Sequence, residues 1–76
     1  MGFDKIFLFA GEYLNNNKVI TATDLYKYIR DYPDITNWPT ITEVTDCLDF
    51  TERVRWIDVY EQEENMEIKY IRAKGG

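Results

Sequence analysis

Apolar residues recur along this chain with three helical stretches and then two alternating ones. Phe3, Ile6, Phe7, Ala10 and Leu14 fall on one face at helical spacing, with Tyr13 at its edge, predicting a helix over about 3–14. The stripe is untidy: Leu8 points almost opposite the core face, and Phe9 lies on its flank. The run Lys5–Ala10 also fits a short buried strand. Asp4 suits a first helical turn, and Asn15-Asn16-Asn17 offers C-terminal cap residues. Lys18-Val19-Ile20 reads as an extended link.

Thr21-Ala22-Thr23-Asp24 is a capping box, in which Thr21 caps and Asp24 bonds back. It opens a helix over about 21–32 with Ala22, Leu25, Ile29 and Tyr32 on one face, and Pro33 stops it. A second box, Thr40-Ile41-Thr42-Glu43, follows Pro39. Its helix, about 40–50, is expected to bury Ile41, Val44 and Leu48 with Cys47 beside them. It exposes Thr42, Glu43, Thr45, Asp46 and Asp49. After Glu52 the period becomes two. Val54–Glu61 and Met66–Ala73 predict a hairpin within about 54–73, its loop running from Gln62 to Asn65. Asn65 suits the left-handed position of that loop. The expected register sets Val59 against Ile68, Ile57 against Tyr70 and Asp58 against Lys69. A one-residue shift would oppose Glu61 to Glu67. Residues 74–76 read as a frayed tail, and 1–76 as a single domain.

Composition narrows the class. The chain has 76 residues, 45% of them hydrophobic, enough for one small core. It is too apolar for a disordered tail. No apolar run approaches the roughly 18 residues of a membrane span. The single cysteine cannot form an internal disulfide, and the absence of histidine removes histidine-based catalysis and most zinc sites. Asp4 falls too early, and Ile6–Ala10 is too short, for a signal peptide. A cytoplasmic protein is expected. Nine basic against fourteen acidic residues give a net charge of −5, which repels nucleic acid and anionic membrane at long range.

Helix, extended link, helix, longer link, helix and hairpin is an order that resembles the winged helix-turn-helix superfamily. The resemblance covers Phe3–Ala73. Val19-Ile20-Thr21-Ala22-Thr23-Asp24-Leu25 looks like the start of such a domain's second helix. Ile41, Val44 and Leu48 look like the buried face of its third. Val54-Arg55-Trp56-Ile57 and Glu67-Ile68-Lys69-Tyr70-Ile71 look like the two wing strands. The resemblance implies an α+β, mainly helical fold: a three-helix core with a C-terminal two-stranded wing. In many such domains the third helix enters the major groove. Here the chemistry departs from the pattern. Residues 40–52 carry Glu43, Asp46, Asp49 and Glu52 and no base, and residues 56–67 carry Asp58, Glu61, Glu63, Glu64 and Glu67 and no base. Nine of fourteen acids thus sit on the elements that would face DNA. The tail Ile71–Gly76 and the string Phe9–Leu14 are also similar to ubiquitin, but helical signals over 21–49 do not fit a β-grasp order.

Glu61, Glu63, Glu64 and Glu67 lack the alternation and turn glycine of a calcium loop and read as a solvated wing tip. Cys47 has no histidine partner and lies inward, as a small buried residue. No glycine-rich phosphate loop exists. Neither cofactor nor metal is expected, and no enzymatic activity. Tyr26, Tyr28 and Tyr32 with Lys27 and Arg30 resemble an aromatic-plus-basic surface able to stack on bases. Arg53, Arg55, Lys69, Arg72 and Lys74 form a second basic group at the hairpin base. Leu8, Phe9, Trp38 and Trp56 are apolar residues the pattern leaves unburied. A homodimer through Leu8, Phe9 and Trp56 is one reading of them; Trp38 lidding the core is the plainer one.

The expected function is a non-catalytic binding module. Its acidic third helix and wing would contact a protein partner with a basic surface, such as one that handles nucleic acid, through Thr42, Glu43, Thr45, Asp46, Asp49, Glu61, Glu63 and Glu64. The alternative is a DNA-binding transcriptional regulator with contacts at Lys27, Tyr28, Arg30, Arg55 and Lys69. No membrane partner is expected.

Overall fold

Both capping boxes form, and they fix where two of the three helices begin. The computed structural model describes residues 1–74; the part of the expected tail at 75–76 lies outside the described residues. Helix α1 spans Phe3–Asn16, so its apolar run is helix and not strand. Asn17 closes it by donating its side-chain Nδ2–H to the Tyr13 carbonyl at 3.0 Å. Helix α2 spans Ala22–Arg30. Thr21 Oγ1 accepts the Asp24 N–H at 3.1 Å, and Asp24 Oδ2 accepts the Thr21 N–H at 3.2 Å. The helix ends two residues before the expected Tyr32. A tighter turn, with the Tyr32 N–H on the Ile29 carbonyl at 3.1 Å, carries the chain to Pro33.

Helix α3 spans Ile41–Arg53, longer than expected. Thr40 Oγ1 accepts the Glu43 N–H at 3.1 Å, and Glu43 Oε1 accepts the Thr40 N–H at 2.9 Å. The helix consumes the start of the expected first wing strand. Val54 becomes its cap, and Arg55 takes a left-handed backbone with φ 65°. The Arg55 N–H reaches the Glu52 carbonyl at 2.9 Å, and the Trp56 N–H reaches Thr51 at 3.1 Å. This pair of bonds is a Schellman closure, built on arginine in place of the usual glycine.

Strands β1 (Ile57–Glu61) and β2 (Lys69–Arg72) pair antiparallel. Asn65 is left-handed, φ 66°, as expected of the loop. The register is not the expected one. Ile57 pairs with Arg72, Asp58 with Ile71 and Val59 with Tyr70, and an irregularity between Val59 and Glu61 then sets Glu61 against Lys69. The strands have slipped by two residues, which preserves which side chains share a face. The opposite-charge pair therefore joins Lys69 to Glu61, not Asp58. Outside the hairpin, Ile20 and Tyr70 exchange two backbone hydrogen bonds of 2.9 Å. The extended link thus flanks β2 on its other edge.

The result is a winged-helix-like α+β layout, mainly helical. Ile6, Ala10, Ile20, Leu25, Ile29, Val44, Cys47, Leu48, Ile57 and Tyr70 form its core. Full burial of an aliphatic side chain stabilises by about 1.5–3 kcal/mol, so contributions from all three helices and the sheet are needed in a chain this small. Two expected core positions differ. Ile41, the first residue of α3, is 45% exposed, and Thr51 is buried in the last turn instead. The Thr51 hydroxyl donates to the Cys47 carbonyl at 2.6 Å, which satisfies it there. Phe3 is likewise half exposed.

Candidate protein-docking surfaces

The exposed ridge of α3 carries Thr42, Thr45, Asp46 and Asp49, the face expected to meet a partner. These residues are not equally free. Thr45 Oγ1 donates back to the Ile41 carbonyl at 2.8 Å. Asp49 pairs with Arg53 at 3.1 Å. Glu43 is held in its capping box, and the hydrogen bonds from Thr40 draw its carboxyl below the usual range. Asp46 is exposed and has no hydrogen bond or ion pair among the described residues.

The wing carboxylates divide in the same way. Glu61 lies 3.5 Å from Lys69 Nζ. A hydrogen bond with Glu63, followed by the Lys69 charge, lowers the Glu61 pKa. That same bond and the negative charge of Glu61 raise the Glu63 pKa. Glu64 is exposed at the loop. Glu67 is exposed as well, and accepts the Thr23 N–H at 3.0 Å. Clefts join α3 to the hairpin on both sides. One, about 150 Å³, includes Thr45, Glu67 and Ile68; the other, about 460 Å³, includes Glu52, Arg53, Arg55 and Asp58.

The aromatic and basic residues considered for nucleic acid are mostly engaged within the domain. Arg30 lies over the Trp38 ring at 4.6 Å and donates to the Tyr26 hydroxyl at 2.9 Å. Trp38 thus packs beneath an arginine and stays partly exposed. Tyr28 packs edge-on against Phe9, Tyr13 and Tyr32. Its hydroxyl donates to Glu12 at 2.7 Å, which pushes its pKa up to about 12. Arg72 ties the hairpin to α1 through the Gly11 carbonyl at 3.2 Å and Asn15 Oδ1 at 3.0 Å. Lys27 and Arg55 are exposed.

Of the residues considered for self-association, Phe9 is half-buried against Tyr28 and Tyr32. Leu8 and Trp56 are brought together on another face, between α1 and the C-terminal half of α3. They border a groove of about 420 Å³ with Phe3, Phe7, Phe50 and Val54. Phe7 and Trp56, with ring centroids 4.5 Å apart, separate it from a second hollow of about 240 Å³ that runs along α1 to Gly11 and Leu14. Leu8 is 67% exposed, Phe50 53% and Trp56 55%. The sequence reading missed Phe50. Its signal is a large apolar residue directly following the acidic positions Asp46 and Asp49.

Cys47 lies at the floor of this groove, and burial pushes its thiol pKa up. Its Sγ–H donates to the Phe3 carbonyl at 3.7 Å. This is the environment of a packing residue rather than of a nucleophile. Among the described residues, no three His, Cys, Asp or Glu side chains are grouped to hold a metal ion, and no helix is long and apolar enough to cross a membrane.

No protein-family model matches this chain, and no curated protein or solved structure matches it either.

Proposed function

We propose that this is a small cytoplasmic, non-catalytic binding module whose acidic third helix and wing dock on a basic surface of a protein partner. The observation that carries the reading is the placement of Asp46 and Asp49 on the open ridge of α3, beside a hairpin bearing Asp58 and Glu64. A carboxylate and a phosphate in contact repel by around 1 kcal/mol in a water-like dielectric, and a carboxylate attracts a lysine or arginine by the same amount. Several such contacts disfavour a phosphate backbone and favour a cationic protein surface. The internal engagement of Tyr28, Arg30 and Lys69 favours this reading over the DNA-binding alternative.

The test is a titration of isotope-labelled protein with a lysine- and arginine-rich peptide, followed by amide shifts. Shifts are expected at Asp46, Asp49 and Glu64. Affinity should fall as salt rises, and about tenfold in the double substitution Asp46→Lys with Glu64→Lys. Asp31→Lys with Asp34→Lys serves as the control. Glu43 is unsuitable for charge reversal because its loss also uncaps α3. Binding indifferent to both doubles, or binding to duplex DNA at the same ridge, would remove the proposal.

A further inference from the structure

We infer that the outer edge of β1, at Val59, takes up an extended, lysine- or arginine-bearing segment of the protein partner as an added strand. The inference rests on the reading of an acidic wing that meets a basic partner, and adds how the wing holds it. Backbone parity carries it. In an antiparallel pair, residues that exchange hydrogen bonds alternate with residues whose N–H and C=O point away from the facing strand. The Ala73 N–H bonds to the Trp56 carbonyl at 3.1 Å. Two positions further along, Asp58 and Ile71 are the next pair to bond. Val59 and Tyr70, opposite each other, therefore turn their backbone groups outward, to the two edges of the sheet. On the β2 edge, Ile20 fills those of Tyr70 through two bonds of 2.9 Å. On the β1 edge, nothing among the described residues bonds to those of Val59, which is 43% exposed. The cleft of about 460 Å³ that includes Asp58, Val59, Arg55 and the end of α3 opens there.

Unpaired donors and acceptors at a sheet edge are a template for another strand. The occupant's backbone is thus extended, and charge selects its side chains. Asp58 and Tyr60 flank Val59 and are exposed, and residues 56–67 carry Asp58, Glu61, Glu63, Glu64 and Glu67 without a base. Opposite charges across a sheet stabilise it, and like charges directly opposite destabilise it. A second copy is disfavoured on that ground. Joining Val59 of one copy to Ile57 of another sets two Asp58 carboxylates face to face, and other registers still lay one acidic wing along another. A basic residue opposite Asp58 meets the opposite condition. Arg53 is held by Asp49 at 3.1 Å, and Arg55 stands before the strand begins, so the segment's cations lie from Asp58 towards Glu63 and Glu64. The irregularity after Val59 keeps the added strand short.

The probe is a blocked peptide of about six residues alternating lysine and valine. It is titrated into the full chain and followed by amide shifts and amide hydrogen exchange. The Val59 amide should exchange about tenfold more slowly when peptide is bound, because the added strand accepts its proton. The Tyr70 amide, bonded to Ile20, is the internal reference. With a lysine opposite Asp58, the valines turn their N–H groups to β1 and the lysines turn theirs away. N-methylation of the valines leaves every charge in place and should weaken binding about tenfold; N-methylation of the lysines should weaken it less than about threefold. Val59→Pro removes the donor from the protein instead, at an edge position where proline is tolerated. Affinity should again fall about tenfold, with dichroism unchanged. Equal binding of both methylated peptides overturns the inference, as does unchanged Val59 exchange in the bound protein. With shifts at Asp46 and Asp49 retained, either result leaves the acidic-ridge proposal standing. Val59 protection without those shifts supports the edge and removes the ridge. Protection that grows with protein concentration in the absence of peptide assigns the edge to a second copy and overturns the inference.

Discussion

Glu67 Oε2 accepts the backbone N–H of Thr23 at 3.0 Å, a contact between residues 44 positions apart. It ties the approach to the second wing strand to the first turn of α2. The first N–H groups of a helix have no partner within it, and negative charge is favoured there. One wing glutamate, though exposed, thus makes a contact between distant segments. Glu67→Ala should lower stability by about 0.5–1 kcal/mol, a fall of about 2–8 °C in Tm. Glu67→Gln keeps an acceptor and should cost less. Thermal and urea unfolding of the two variants would check the order.

Arg55 holds a left-handed backbone that disfavours residues with a Cβ. Arg55→Gly should raise stability by about 0.5–1 kcal/mol, and Arg55→Val should lower it. Urea midpoints at unchanged slope would measure both.

Gly11 sits inside α1, and a Cβ added there meets nothing within 4 Å. Gly11→Ala should therefore stabilise by about 0.5–1 kcal/mol, because glycine in a helix interior carries an entropic penalty without a packing benefit. A higher melting temperature with an unchanged dichroism spectrum is the expected result.

Stability should fall with alkali. Glu12 holds the Tyr28 phenol proton and raises its pKa from 10 to about 12, while burial raises those of Tyr13 and Tyr70. A group whose folded pKa is raised contributes stability that is fully present below its unfolded value. That contribution is lost as pH climbs through the folded one. For Tyr28 the window is between pH 10 and about 12. Tyr28→Phe should flatten the stability profile there, measured as urea midpoints against pH.

The acid side has the opposite sign. Glu43 is lowered in the folded state, so its contribution is present above about pH 4.5 and is lost as pH falls through the folded pKa. Glu43→Gln preserves the acceptor of the capping box and should remove that part of the acid sensitivity. Urea midpoints at pH 3 to 5, compared with the parent, would show it.

What the chain determined by itself is what forms within a few residues. Thr21 with Asp24 and Thr40 with Glu43 start two helices because each box closes its hydrogen bonds over three positions. Asn65 turns left-handed for a comparably local reason. The two-residue alternation of the wing fixed which side chains share a face, since a slip of two preserves that parity. Contacts between distant segments decided the rest. The Ile20–Tyr70 bridge fixed β2 against the link, Thr51 replaced Ile41 in the core, and Tyr28 with Tyr32 covered Phe9. The acidic ridge was legible from composition along one helix. The groove that gathers Leu8, Phe50 and Trp56 was not, because periodicity within one element says nothing of how two elements align. Only the packing of α1 against α3 placed those side chains side by side.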